Sequence, residues 1–268
     1  MALIDVNGSQ VNVVEMNTGG GDPVIMIHGM YTNLSVFYFY IAPVLAHAHH
    51  VVLYDLRSHG MSEKRTEGYT LEILSNDLLD LMATLHIPQA HLVGYSYGGT
   101  IALYTALTCP DKVKQIALIE APSLQETSVG KADDILLRFL PETIKDYTKS
   151  TGIPVTQSRA DKFDEQRRLL ASADLLHKAV QTDQYYFDAA ALAELRAQTL
   201  LLYGTQSELI ETGHLFASRI PKAQLQLAEG DHNLPVQQAD FVARELERFL
   251  MADNDTASGE DGYNGDSR

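Results

Sequence analysis

Apolar positions in the first 120 residues come in short runs rather than long amphipathic stretches. From Leu3 to Met16 two β-rich runs flank Asn7-Gly8, a pair that tolerates positive φ, and this predicts an antiparallel hairpin. After the loop Thr18-Gly19-Gly20-Gly21-Asp22, apolar runs recur at Val24–Ile27, Val51–Tyr54, His91–Val93 and Val113–Ile119, each followed by enough chain for a helix. Strands alternating with helices predict an α/β fold with a mostly parallel sheet covered on both faces. Between Glu120 and Gln198 the strand rhythm stops. Apolar residues there follow helical spacing, at Ile135, Leu136, Phe139 and Leu140 and again at Leu169, Leu170, Leu175, Leu176 and Val180, with Pro141, Gly152 and Pro154 as breaks. The rhythm resumes at Thr199–Tyr203 and Gln224–Ala228, and an amphipathic stretch from Val236 to Leu250 closes the pattern. The division expected is a core of residues 1–120 and 199–251, a helical insertion over 121–198, and a tail over 252–268.

Composition narrows the function classes. A chain of 268 residues with 45% hydrophobic side chains can bury a sizeable core, which excludes a disordered chain, a fibre or a disulfide miniprotein. Its formal charge of −15 would repel a phosphate backbone over most of the surface, so a nucleic-acid partner is not expected. The tail contributes Asp253, Asp255, Glu260, Asp261 and Asp266 against Arg268 and is expected to be disordered. Cys109 is the only cysteine, so neither an internal disulfide nor a cysteine zinc site can be assembled. The first residues carry no basic and apolar leader pattern, and no apolar run approaches the roughly 18 residues that span a bilayer. A soluble cytoplasmic protein with no membrane partner is expected.

The most specific motif is Gly94-Tyr95-Ser96-Tyr97-Gly98, between the run ending at Val93 and a helical run from Thr100 to Leu107. A serine at the tip of a sharp strand-to-helix turn is held in strained geometry with its hydroxyl exposed at the sheet edge. Side chains at the flanking glycine positions would collide with the neighbouring strand and helix. The following helix aims its N-terminal N–H groups at the same spot, which favours developing negative charge.

With that turn, three further segments complete a pattern: Val24–Ile27 running into His28-Gly29-Met30, then Asp55-Leu56-Arg57-Ser58-His59-Gly60-Met61-Ser62, and Gly230-Asp231-His232 before the last helix. In order and spacing the chain resembles the α/β-hydrolase-fold family, in its capped serine-esterase-like form, over about 250 residues. The resemblance implies an eight-stranded, mostly parallel sheet with a helical cap after the sixth strand. It implies Ser96 as nucleophile and His232 as base. A carboxylate must hold the imidazole tautomer. The family's usual aspartate follows the seventh strand after a glycine, but here the stretch reads Tyr203-Gly204-Thr205-Gln206-Ser207-Glu208, so Glu208 is the expected acid. Glu120, at the end of the sixth strand, is the alternative, and Asp231 lies too close in sequence to His232 to aim at it. The backbone N–H groups of Tyr97 and Met30 are the implied oxyanion donors.

Other candidates have plainer readings. His28 is expected to shape its loop, His59 to support a turn, as are Asp55 and Arg57, and His47, His49 and His50 to form a surface cluster. His86, His91 and His177 lie in no motif, and His214 belongs on an exposed helix face. The triple glycine at 19–21 lacks a following Gly-Lys-Ser/Thr and reads as a loop rather than a phosphate cradle. No cofactor and no metal are implied. A serine nucleophile argues against the family's dehalogenases and epoxide hydrolases, which use aspartate there. Tyr31, Phe37, Tyr38, Phe39 and Tyr40, with Leu136, Phe139 and Tyr185-Tyr186-Phe187 from the insertion, suggest a small, largely apolar ester or thioester substrate. Carbon–carbon bond hydrolysis and a non-catalytic small-molecule receptor remain the other readings of this sequence.

Overall fold

A computed structural model describes residues 2–65, 67–123, 148–149, 151–171 and 187–252. Eight strands form one sheet: β1 (Ala2–Val6), β2 (Ser9–Met16), β3 (Pro23–Ile27), β4 (His50–Tyr54), β5 (Ala90–Tyr95), β6 (Val113–Ile119), β7 (Gln198–Gly204) and β8 (Ala223–Ala228). Their order is β1-β2-β4-β3-β5-β6-β7-β8. The β1–β2 and β2–β4 pairs are antiparallel and every later pair is parallel. Asn7 and Gly8 both have positive φ, 49° and 70°, as the two-residue hairpin turn requires. The mostly parallel α/β sheet is the one the strand rhythm predicts, and its eight strands are the number the resemblance implies.

The helices among the described residues include α1 (Ser35–Tyr38), α2 (Ala42–Leu45), α3 (Leu71–Thr84), α4 (Tyr97–Thr108), α5 (Gln157–Ala171), α6 (Ala189–Ala193), α7 (Ile210–Arg219), α8 (Leu234–Gln237) and α9 (Ala239–Met251), with a single 3-10 turn at Pro110–Lys112. Alternation along the strands sends successive side chains to opposite faces and makes two cores. On one face Ile25, Ile27, Val52, Leu92 and Leu201 pack with α3, α4 and α7 through Leu74, Leu78, Ile101 and Phe216. On the other, Val24, Met26, Leu53, Val93 and Leu202 pack with α1, α2 and α9 through Phe37, Leu45, Val242 and Leu246. The central strands are buried on both sides, so their middles are apolar runs such as Val24–Ile27, Val51–Tyr54 and Ile116–Ile119.

Three details depart from the sequence pattern. The closing amphipathic stretch is two helices, α8 and α9, because Gln238 leaves helical geometry at φ −129°. Helix α4 starts at Tyr97, three residues before its apolar run, because the serine turn leads directly into it. His49 and His50 are not a surface cluster: they are 2% and 8% exposed, His49 stacking edge-on against His91 and His50 lying 2.8 Å from Glu15. Burial pushes His49 below the ordinary imidazole range.

Between β6 and β7 the described residues are largely helical, comprising α5 and α6. The insertion residues Ile135, Leu136, Phe139, Leu140, Leu175, Leu176, His177, Val180, Tyr185 and Tyr186 lie outside the described residues, as does the tail from 253. Among the described residues no helix is long and apolar enough to cross a membrane.

Candidate active site

The site lies where the C-terminal ends of β3, β5, β6, β7 and β8 converge. At the end of β5, Ser96 adopts φ 53° and ψ −124°, a strained pair for a residue with a side chain. The glycines around it make the turn possible. A Cβ on Gly98 would stand 2.1 Å from Ile27 O in the neighbouring strand, and one on Gly94 2.3 Å from Gly98 O. The turn is pinned by Ser96 N–H donating to Ile119 O (2.8 Å) and Gly99 N–H donating to Ser96 O (2.8 Å).

His232 comes from the loop after β8. Its Nε2 is 3.0 Å from Ser96 Oγ. The loop is held from inside: Asp231 Oδ1 accepts from Asn233 N–H (2.8 Å), and Gln237 Oε1 accepts from Asp231 N–H (2.9 Å). Asp231 thereby shapes the turn that carries His232. Tyr95 holds the loop from the serine side, its hydroxyl donating to His232 O at 2.9 Å and its ring centroid 5.4 Å from the imidazole.

The acid on the far side of the ring is Glu120, not Glu208. Glu120 Oε2 lies 3.4 Å from His232 Nδ1, and its side chain is wholly buried. Glu208, the acid expected from the sequence, is exposed. The loop after β7 explains the exchange. Ser207 N–H donates to Gly204 O (3.1 Å) and Ile210 N–H to Ser207 O (3.3 Å), a tight turn that puts Ser207 inside at 5% exposure and the next residue outside. Glu120, by contrast, directly follows β6, the strand that lies between β5 and β7. Its φ of 51° kinks the chain there, and its own N–H donates to Leu202 O at 2.9 Å. A buried carboxylate needs donors, and Gly204 N–H supplies one at 2.5 Å to Oε1 while the Ser207 hydroxyl supplies another to Oε2. Beside them the Tyr203 hydroxyl donates to Ala121 O at 2.7 Å. Burial, and then the Glu120 charge, push that phenol well above its usual range.

Met30 and Tyr97 are the implied oxyanion donors. Tyr97 is the first residue of α4 and Met30 sits in the loop after β3. That loop reaches the serine because its glycine has no side chain: a Cβ on Gly29 would come within 2.8 Å of Ser96 Cβ. Two neutral imidazoles fix its course. His28 Nε2 accepts from Leu56 N–H (2.9 Å) while its Nδ1 faces Gly29 O (2.8 Å). His59 Nε2 accepts from Tyr31 N–H (3.2 Å) while its Nδ1 faces Arg57 O (2.9 Å). Each ring thus acts as donor on one side and acceptor on the other, which only the neutral form can do. Burial pushes His28 down to about 4 and His59 to about 3.

Asp55 and Arg57 sit beneath this loop as braces. Asp55 accepts from Leu34 N–H (2.8 Å), Met61 N–H (2.9 Å) and Asn12 Nδ2 (2.8 Å), and Arg57 forks onto Asp77 (2.8 and 2.7 Å). Among the aromatic residues after the loop, Phe37 is buried, whereas Phe39 and Tyr40 are 65% and 71% exposed. Among the described residues no group of three or more His, Cys, Asp or Glu side chains could hold a metal ion.

The sequence reading missed Tyr95, Ser207 and the Gly204 N–H as parts of the site. Tyr95 and Gly204 had no local signal. Ser207 has one, standing in the stretch where the resemblance places the family's aspartate.

Comparison with known proteins fits this geometry. The family model for the alpha/beta hydrolase fold matches residues 22–257. The chain belongs to the α/β-hydrolase family. Within it, the chain is 36% identical over 256 residues, covering 92% of the chain and 68% of the relative, to the dihydrolipoyllysine-residue acetyltransferase component of the acetoin cleaving system of Cupriavidus necator. A putative esterase/lipase of Haemophilus influenzae is 24% identical over 245 residues, covering 85% of this chain and 82% of that one. Among solved structures, a meta-cleavage product hydrolase from Pseudomonas fluorescens superposes with a TM-score of 0.76 at 19% identity, covering 95% and 98% of the two chains, a likeness of fold. The coarse class of this α/β-hydrolase member is therefore a hydrolase.

Proposed function

We propose that the chain is a serine hydrolase that cleaves a small, largely apolar carboxylic ester or thioester through an acyl-enzyme, with Ser96, His232 and Glu120 as its triad. The observation that carries this is the continuous line Ser96 Oγ, His232 Nε2 at 3.0 Å, and Glu120 Oε2 at 3.4 Å from Nδ1. A serine hydroxyl is a weak nucleophile until a base takes its proton. In the proposed cycle Ser96 Oγ attacks the carbonyl carbon as His232 Nε2 accepts the hydroxyl proton, and Glu120 stabilises the resulting imidazolium. The carbonyl oxygen becomes an oxyanion facing the Tyr97 and Met30 N–H groups. Collapse breaks the ester or thioester bond, His232 returns the proton to the leaving oxygen or sulfur, and water repeats the sequence to release the acid.

Two further points support acyl chemistry. The position that would carry an aspartate nucleophile in a dehalogenase holds serine. The relative at 36% identity is named for transfer of an acetyl group to a dihydrolipoyl residue, which fits a thioester as readily as an oxygen ester. In this reading the insertion between β6 and β7 covers the site and sets the acyl group admitted, and the partner is a small molecule.

The test is steady-state hydrolysis of p-nitrophenyl esters and the matching thioesters of increasing acyl length, beside Ser96→Ala. Turnover that peaks at one chain length and vanishes in the variant is expected. Equal rates with and without Ser96 overturn the proposal. Inert esters combined with cleavage of a vinylogous diketone would move it to carbon–carbon hydrolysis.

A further inference from the structure

Ser207 stands in the stretch where the family usually carries its acid, yet it touches the acid supplied by another strand. Its side chain is buried, and its hydroxyl donates to Glu120 Oε2, the same oxygen that lies 3.4 Å from His232 Nδ1. The direction of that hydrogen bond is set by a second one. Leu209 N–H donates to Ser207 Oγ at 3.0 Å, which occupies the hydroxyl as an acceptor and leaves its proton for the carboxylate. The other carboxylate oxygen is held by Gly204 N–H at 2.5 Å, from the same loop. One oxygen fixed by the backbone and the other by a hydroxyl of defined polarity leaves the carboxylate a single orientation.

We propose that Ser207 is a positioning residue: with Gly204 N–H it locks the Glu120 carboxylate so that Oε2 faces His232 Nδ1, replacing by a hydroxyl the carboxylate expected at the end of β7. This rests on the proposed triad and deepens it. The loop after β7 retains its place in the machinery but acts through Glu120 instead of touching the imidazole itself. Glutamate has one more rotatable bond than aspartate, and at the end of β6 it needs this clamp to present one oxygen in a fixed direction.

The test uses covalent capture of Ser96 by a fluorophosphonate, which needs no knowledge of the substrate, together with the downfield proton resonance of His232 Nδ1–H. In the wild-type chain capture is expected, with the resonance assigned by its loss in His232→Ala. Ser207→Ala is expected to slow capture about tenfold or more, the effect of losing one buried hydrogen bond to a charged group, and to shift or broaden the resonance. Ser207→Thr, which retains a hydroxyl, is expected to recover most of the lost rate. Should the alanine variant fail to fold, as judged by its melting curve, Ser207→Cys replaces it, since a thiol has nearly the same size but donates weakly. Wild-type capture rates and an unmoved resonance in the alanine or cysteine variant overturn the role of Ser207 and leave the triad standing. Absence of capture in the wild-type chain overturns the triad itself.

Discussion

An imidazole that takes a proton at one nitrogen needs its other nitrogen held, and two glutamates compete for that task on paper. Reach separates them. Glu208 is adjacent to the right loop position but turns to solvent, while Glu120 is far away in sequence and buried against the ring. Glu120→Gln is therefore expected to lower kcat by about a thousandfold or more, as removing the carboxylate of such a triad does, while Glu208→Gln leaves it within about twofold. Steady-state kinetics on the best ester decides, and the reverse ranking would return the acid to β7. Ser96 and His232 were legible in the sequence because each sits in a local motif with its glycine. For the acid the sequence offered Glu120 only as the alternative to Glu208, because the choice depends on how β6 aligns with β7: Ile119 pairs with Leu202, which sets Glu120 beside the loop that begins at Gly204. No spacing along one chain segment reports that register.

Among the elements, the central strands β3 to β7 were readable from runs of apolar residues, since burial on both faces leaves little room for polar side chains, while β1, β2 and β8 towards the sheet's edges showed as β-rich or alternating stretches. The loops were harder because their order comes from groups that read as polar in sequence and are buried in the fold. For His28 and His59 that burial makes stability depend on pH. In an unfolded chain each would take up a proton near pH 6.5, but burial lowers them to about 4 and about 3 when folded. As pH falls below 6.5 the unfolded state binds protons that the folded state refuses. The stability present above that value is thus lost progressively down to about pH 4 for His28 and about pH 3 for His59, each ring alone costing on the order of 3 kcal/mol by pH 4. The loops after β3 and β4 carry this weakness because Leu56 N–H and Tyr31 N–H point at the nitrogens that would be protonated. Melting temperatures measured at pH 7 and pH 4.5 are expected to fall less for His59→Gln, whose amide oxygen can accept from Tyr31 without titrating. An equal fall in both proteins would take the acid sensitivity away from His59 and place it in His28 or the carboxylates instead.

For the whole molecule, the division into a sheet interrupted between its sixth and seventh strands was legible because helical spacing replaces strand spacing there. Which substrate the fold accepts was not legible, since specificity lies in cavity shape rather than motif. Net charge does bear on it. The chain carries −15, and several of its cations are already engaged: Arg57 with Asp77, Lys64 with Glu165, Lys114 with Asp22. A field of that sign repels an anionic substrate on approach and speeds departure of a carboxylate product, and salt weakens it beyond the Debye length of about 8 Å at physiological ionic strength. For a hemisuccinate ester, kcat/KM is therefore expected to lie below that of the neutral ester of equal length at low salt and to rise as salt is added, while the neutral ester changes little. Rates measured for both esters across a sodium chloride series test this. If salt instead slows the anionic ester, a local positive potential at the site outweighs the mean field, and the substrate class to pursue becomes acyl groups that carry a carboxylate.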